Sequence, residues 1–252
     1  IADVSHYVPE GGIIDQIAQA RATSVYFPEM AFHMLPRELS EDLCSLKPKV
    51  DRLALVAQIQ FNPQGHIKKI EVKEALIRSV RRATYEEIQK EYDSQAHTGF
   101  LKEAFELYSI LRKMRSERGT IDFDFSEPEI QLRGQGEVHS IHRKKRLDTH
   151  RLIEEFMICA NEAVTLWITQ HQWPFIYRVH DEPEPKAIEN FQLFLKSLHI
   201  PWPIRTKKVT SHDLAHFLKQ HTQHPAYSVI QMMLLRALKQ AYYTPQPGGH
   251  FG

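Results

Sequence analysis

The sequence predicts an α+β fold, and three observations carry that expectation. Strand-like stretches crowd the first third of the chain, apolar residues recur at helical spacing from Thr84 onward, and Gly and Pro punctuate the boundaries between them. Strands first and helices later is the order of an α+β protein, not of alternating β-α-β units. A mixed sheet in the N-terminal half, packed by helices from the C-terminal half, is therefore expected.

Taken in order, residues 1–8 (IADVSHYV) read as a strand, and residues 53–61 and 67–77 as two more. The turn Asn62-Pro63-Gln64-Gly65 separates the last two, so they are expected to pair as a β-hairpin. Between Tyr26 and Leu46, Pro28 and Pro36 exclude a continuous helix and leave an ordered irregular segment. After Ala83 the period becomes helical: residues 84–92, 100–118, 147–169, 185–198, 212–221 and 225–242 place apolar side chains at i, i+3, i+4 and i+7. Short strands are expected at 129–133 and 175–179.

Composition narrows the function classes. With 252 residues, 42% of them hydrophobic and 25% charged, the chain has enough apolar mass for a packed core, which excludes a disordered segment. Thirty-two Lys and Arg balance 31 Asp and Glu, so any basic surface must be local. Cys44 and Cys159 match no zinc or disulfide spacing, and no apolar run reaches the roughly 18 residues of a membrane span, which together point to a reducing cytoplasm. The sequence opens on a strand pattern with no cap before it and closes on the turn signal PQPGGHFG, as an internal piece of a longer polypeptide would.

The basic residues are clustered. Arg78, Arg81 and Arg82 follow the hairpin, Arg112, Lys113, Arg115 and Arg118 run along one helix, and residues 142–146 read HRKKR. Such runs suit a phosphate track, because Lys and Arg gain affinity by releasing counterions, although a solvated face balanced by Glu103, Glu106 and Glu117 has the same pattern. Arg178, His180 and Asp181 in YRVHDEP sit at the end of a predicted strand, where side chains are aimed into clefts; the plainer reading makes Asp181 a helix cap. Asp122 and Asp124 could share one strand face near a divalent cation, and His212 and His216 stand at i, i+4, yet neither pair has a third ligand. Glu154 and Glu155, with His150 one turn earlier, flank the apolar stripe Leu152, Ile153, Phe156, Met157, Ala160, where a carboxylate can hold an arginine of an active cleft or serve simply as a rim residue.

Beyond these readings, IADVSHYV, RATSVYFPEMAFHMLPRELSEDLCSLKPKVDRLALV, THRLIEEFMICANEAV, YRVHDEP, MMLLRALKQAYY and GGHFG occur in the order of the ribonuclease II/R catalytic (RNB) domain, which the chain resembles over essentially its whole length. SVYFP and the MLLRALKQA–GHFG stretch resemble the bacterial ribonuclease R branch most. The resemblance implies the central part of the catalytic domain of a processive 3′→5′ exoribonuclease that threads single-stranded RNA and releases nucleoside 5′-monophosphates. It implies Mg²⁺ held by aspartates of a DFDDA-like motif before the first strand, which these 252 residues do not contain. The arginines of a SPIRRY-like motif, expected after GHFG, and flanking cold-shock and S1 domains are likewise not among them. No catalytic residue, no bound metal and no protein partner is therefore expected of this stretch.

By the same resemblance, Tyr26 matches the tyrosine of an RGTSVY motif beside the 3′-terminal nucleotides, where a phenol can stack and hydrogen-bond. Arg21 matches that motif's arginine, and Ala22 stands where glycine is usual. Tyr26, Arg21, Arg178, His180, Arg112 and Arg115 are the RNA-binding candidates. Where the family places a base-clamping aromatic, this chain has Val72 or Lys73. The alternative to an enzyme is an RNA-binding relative that keeps the fold without the aspartates; a metalloenzyme using the His212/His216 or Asp122/Asp124 pair is a third reading.

Overall fold

A short turn over residues 62–66 and two long alternating strands make the most extensive ladder: β3 (Asp51–Phe61) pairs antiparallel with β4 (Ile67–Arg78), in register from Asp51↔Arg78 to Ile59↔Ile70. The Asn62 side chain builds the turn, its Oδ1 accepting from the backbone N–H groups of Gln64 (3.0 Å) and His66 (2.9 Å). The computed structural model describes every residue except 124, 126, 127, 135, 205–207 and 252.

The α+β class is as expected, but the strands do not form one mixed sheet. Among the described residues they form four separate two-stranded antiparallel sheets. Three of the four join strands across a short turn, where closing the loop costs least entropy, and the fourth pairs strands far apart in the chain. The first residues add a short third edge, with Asp3 N–H donating to Leu53 O and Leu55 N–H to Ile1 O. The expected strand over residues 1–8 stops there: Asp3 accepts from His6 N–H (3.3 Å) and from Ser5 Oγ (2.7 Å), which turns the chain into the single helical turn α1 (Val4–Tyr7).

Two compact units are present, Ile1–Phe105 with Ser126–Trp167, and Glu106–Phe125 with Ile168–Gly252. The first unit holds α2 (Ile13–Arg21), the small hairpin β1 (Val25–Tyr26) and β2 (Ala31–Phe32), a π-helical turn (Glu38–Leu43), the β3–β4 ladder and α3 (Tyr85–Asp93). It also holds the start of α4 (Phe100–Glu117), the hairpin β5 (Pro128–Leu132) and β6 (Val138–Arg143), and most of α5 (Asp148–Gln170). A buried knot joins α3 to α5: Thr149 N–H donates to Gln89 Oε1 (3.1 Å), Thr149 Oγ1 to Tyr85 O (3.0 Å), and the Tyr85 and His150 rings stack at 4.1 Å. The buried side of α5 is Thr149, Leu152, Glu155, Cys159 and Ala163, while Ile153 and Met157 are exposed. The sequence stripe is thus rotated, and Glu155 is a buried carboxylate, not a rim residue, because the helix is seated through this polar knot.

The second unit has the larger apolar core. β7 (Tyr177–Val179) and α6 (Pro185–Ser197) are followed by α7 (Ser211–Gln220), α8 (Tyr227–Ala237) and β8 (Tyr242–Thr244), which pairs with β7. Phe191, Leu195, Leu214, Phe217, Ile230 and Leu234 are almost fully buried in one cluster with Ile121. The helix expected over 225–242 ends at Ala237, and its last residue, Tyr242, opens strand β8 because Tyr242–Thr244 find an edge in β7 that supplies the ladder bonds. No helix among the described residues is long and apolar enough to cross a membrane.

Candidate nucleic-acid interface

Arg21 is the last residue of α2, and the next residue turns the chain sharply: Ala22 has φ 62° while its N–H closes onto Ala18 O at 2.8 Å. The chain then enters β1, reverses through Phe27–Met30, where Phe27 N–H donates to Met30 O (2.8 Å), and returns as β2. Two bonds tie this hairpin down. Arg21 Nη1 donates to His33 O (2.9 Å), and Met34 N–H donates to Ser24 Oγ (2.9 Å). His33 in turn donates from Nε2 to Glu41 Oε1 (3.0 Å) on the π-helical turn, and hydrogen bonds from Arg37, then His33, hold the Glu41 carboxyl below its ordinary range.

The hairpin presents its rings instead of burying them. Tyr26 is 75% exposed, Phe27 and Phe32 meet edge-on at 5.9 Å with more than half their surface open, and Met30 is similarly open. A tyrosine in a folded core is covered; this one is aimed at solvent on a braced turn. Arg21 is placed as the brace of that turn, through the His33 carbonyl.

In the second unit, Arg178 lies exposed on β7 with its guanidinium 6.0 Å over the Tyr243 ring. His180 is half-buried at the point where three segments meet. Its N–H donates to Gly249 O (3.0 Å), its carbonyl accepts from Phe251 N–H (3.0 Å), and its Nε2 donates to Lys239 O (2.7 Å). Gly248 lies against Val179 so closely that a Cβ would sit 2.8 Å from both methyl groups. His250 donates from Nδ1 to Arg178 O (3.4 Å), and burial pushes its pKa below the ordinary histidine value. Asp181 does not cap α6, whose N-cap is Glu184; it accepts from Tyr242 Oη at 3.5 Å instead. Also in this unit, Arg112 donates from Nη1 to Tyr108 Oη (2.8 Å) with its guanidinium 5.8 Å from that ring, while Arg115 is half-buried one turn on.

The structure thus brings Arg21 and Tyr26 together, and Arg178 and His180 together, with Arg112 and Arg115 as a third group on α4. What the sequence reading did not single out is the part played by Gly248, Gly249 and His250 in fixing the β7 end; the doubled glycine was the available signal. Val72 and Lys73 sit opposite Ala57 and Val56 on β4, and Lys73 Nζ donates to Gln58 Oε1 (3.3 Å), so no ring occupies that position.

The donor set for a divalent metal is not found here. Among the described residues no three His, Cys, Asp or Glu side chains converge, so they do not fit the implied Mg²⁺. Asp124 lies outside the described residues, and Asp122 is on irregular chain, not on a strand. His216 Nε2 accepts from the Gln220 side-chain amide (2.9 Å), and Gly119 packs against the backbone of His212.

The ribonuclease R proteins of Aquifex aeolicus and of Escherichia coli K12 are each 36% identical to this chain over all of it, and the chain spans 37% and 32% of their lengths. The structure superposes on Mycoplasma genitalium RNase R in complex with ribose methylated single-stranded RNA with a TM-score of 0.94 at 33% identity, covering all of this chain and 40% of that one. Yeast Ssd1, described as a pseudonuclease, shares the fold with a TM-score of 0.76 at 17% identity. With the RNB domain model matching from residue 1 to residue 252, this chain belongs to the RNB domain family.

Proposed function

We propose that this chain is the central part of the catalytic domain of a cytoplasmic 3′→5′ exoribonuclease that hydrolyses single-stranded RNA to nucleoside 5′-monophosphates. The observation that carries this reading is Tyr26, a 75% exposed phenol on a hairpin braced by Arg21, in a chain that matches the RNB domain throughout. An exposed ring on a rigid turn offers a face for stacking and a hydroxyl for a ribose, which suits the 3′-terminal nucleotides. Arg178, Arg112 and Arg115 are assigned to phosphates. His180, whose Nε2 is committed to Lys239 O, keeps the Nδ1 lone pair as an acceptor for a ribose hydroxyl. The Mg²⁺ chemistry is assigned to aspartates in the part of the relatives' length that this chain does not span.

A second reading is an RNA-binding relative that keeps the fold and performs no hydrolysis. One assay separates the two. The full-length protein and the 252-residue chain alone are incubated with 3′-labelled single-stranded RNA and Mg²⁺. Mononucleotide release by the full-length protein and not by the chain alone supports the exonuclease as stated. Release by neither, with RNA still bound, supports the second reading, and release by the chain alone places the chemistry in residues dismissed above.

A further inference from the structure

We propose that the β5–β6 hairpin is a second RNA contact, an outward track leading from the Tyr26 turn to the basic run Arg143–Lys145. The proposal rests on the RNA reading above and extends it to a surface outside the residues assigned there.

The hairpin is built to stand out from the unit that carries it. Among the described residues, β5 and β6 pair only with each other, and all but two of their residues, Leu132 and Ser140, are exposed. Ile130 and Ile141 lie directly opposite one another on one face, 41% and 64% exposed, with Val138 59% exposed beside the bulge at the turn end. A lone two-stranded ribbon is marginal in water, and uncovered aliphatic pairs on it are a cost that a partner would remove.

Two observations identify the partner. The first is position: Gly136, at the hairpin turn with φ 81°, faces the Glu29 carboxylate of the Phe27–Met30 turn, and a Cβ there would lie 3.4 Å from Glu29 Oε1. The turn of this hairpin is therefore next to the turn that displays Tyr26, and a strand of six residues leads away from it over about 20 Å at roughly 3.3 Å per residue. The second is charge. Arg37, Lys47, Arg52, Arg78 and Arg81 in the same unit each rest on a carboxylate, whereas Arg143, Lys144 and Lys145 at the far end of β6 are exposed with no ion pair among the described residues. Glu29 and Glu137 at the turn repel phosphates, so bases and riboses meet the aromatic and aliphatic surface there and the phosphates are taken at the basic end. Alternation of apolar surface and unneutralised cations along one path is the chemistry of a single-stranded RNA track.

The test uses the full-length protein with Mg²⁺ chelated, and two oligoadenylates, a 5-mer that reaches only the Tyr26 turn and a 25-mer that extends past β6. The triple variant Arg143→Glu, Lys144→Glu, Lys145→Glu is expected to bind the 25-mer at least tenfold more weakly, and to lower the slope of log affinity against log salt by about 2, as loss of three single-strand phosphate contacts requires. The 5-mer should bind the variant within twofold of wild type, and Lys144→Arg with Lys145→Arg should restore the 25-mer. In the wild type, the 25-mer and not the 5-mer should protect Lys144 and Lys145 from acetylation. An unchanged 25-mer affinity and slope in the triple variant overturns the track while leaving the RNA reading intact. So does protection of the two lysines without RNA, which would mean that another part of the protein covers them. Failure of wild type to bind either oligomer removes both readings.

Discussion

Ala22 ends α2 with φ 62°, in the left-handed half of backbone space where a Cβ is strained and glycine is not. The motif that the sequence resembles has glycine at this point, so the sequence departure and the backbone angle describe one cost. Ala22→Gly should stabilise the chain by ~0.5–1 kcal/mol, the relief of strain less the extra freedom of the unfolded glycine, read as a raised denaturation midpoint. A lower midpoint would mean that the angle is strain-free here. Four residues on, Tyr26→Ala in the full-length protein should lose about 1–3 kcal/mol of RNA binding, reduce discrimination against DNA and change the length of the end product, while Tm stays within error because the ring is open to solvent. Retained RNA preference and product length would remove Tyr26 from the site.

At the scale of elements, the helices owe their boundaries to local bonds. α7 opens with a full capping box, Thr210 Oγ1 accepting from Asp213 N–H (3.2 Å) and the Asp213 carboxylate accepting from Thr210 N–H (2.9 Å). Thr210→Ala removes one half of the box at the entry to the helix that buries Leu214 and Phe217, and should cost ~1 kcal/mol in chemical denaturation. No measurable change would show that the box is redundant with core packing. The β7 end carries a titratable group. Burial holds the His250 pKa below its ordinary value of 6.5, so the native state binds fewer protons there than the unfolded chain. Its contribution is complete above pH ~6.5 and is lost as pH falls through the lowered native value. His250→Gln should therefore flatten the loss of stability between pH 7.5 and 5.5 relative to wild type, and an identical profile in the two proteins would exclude it.

For the molecule as a whole, a formal charge of +1 hides a strongly patterned surface, in which most arginines of the first unit sit on carboxylates and a few stretches do not. Phosphate contacts carry no base information, so charge reversal at Arg112 and Arg115 in the full-length protein should weaken binding equally for oligoadenylate and oligouridylate and flatten the salt dependence. Arg115 is half-buried, so Arg112→Glu alone provides the control that leaves packing least disturbed. A salt slope equal to that of the wild type would make α4 a solvated face.

The sequence by itself determined the β3–β4 hairpin, the existence of α3 to α7 within a residue or two, and the family, because each rests on local information: period, turn residues, caps and an ordered run of motifs. It also marked Ala22 as a misfit. Only the tertiary structure decided where 225–242 stops being helix, which side of α5 is buried, and that Glu155 lies within it, since these follow from the ladder edge and polar knot that distant segments supply. The same holds for the nearness of Gly136 to Glu29, more than a hundred residues apart in the chain, which no spacing rule reports and on which the hairpin track depends. Periodicity states which residues seek cover; what covers them, or leaves Tyr26 uncovered, is settled by contacts between segments.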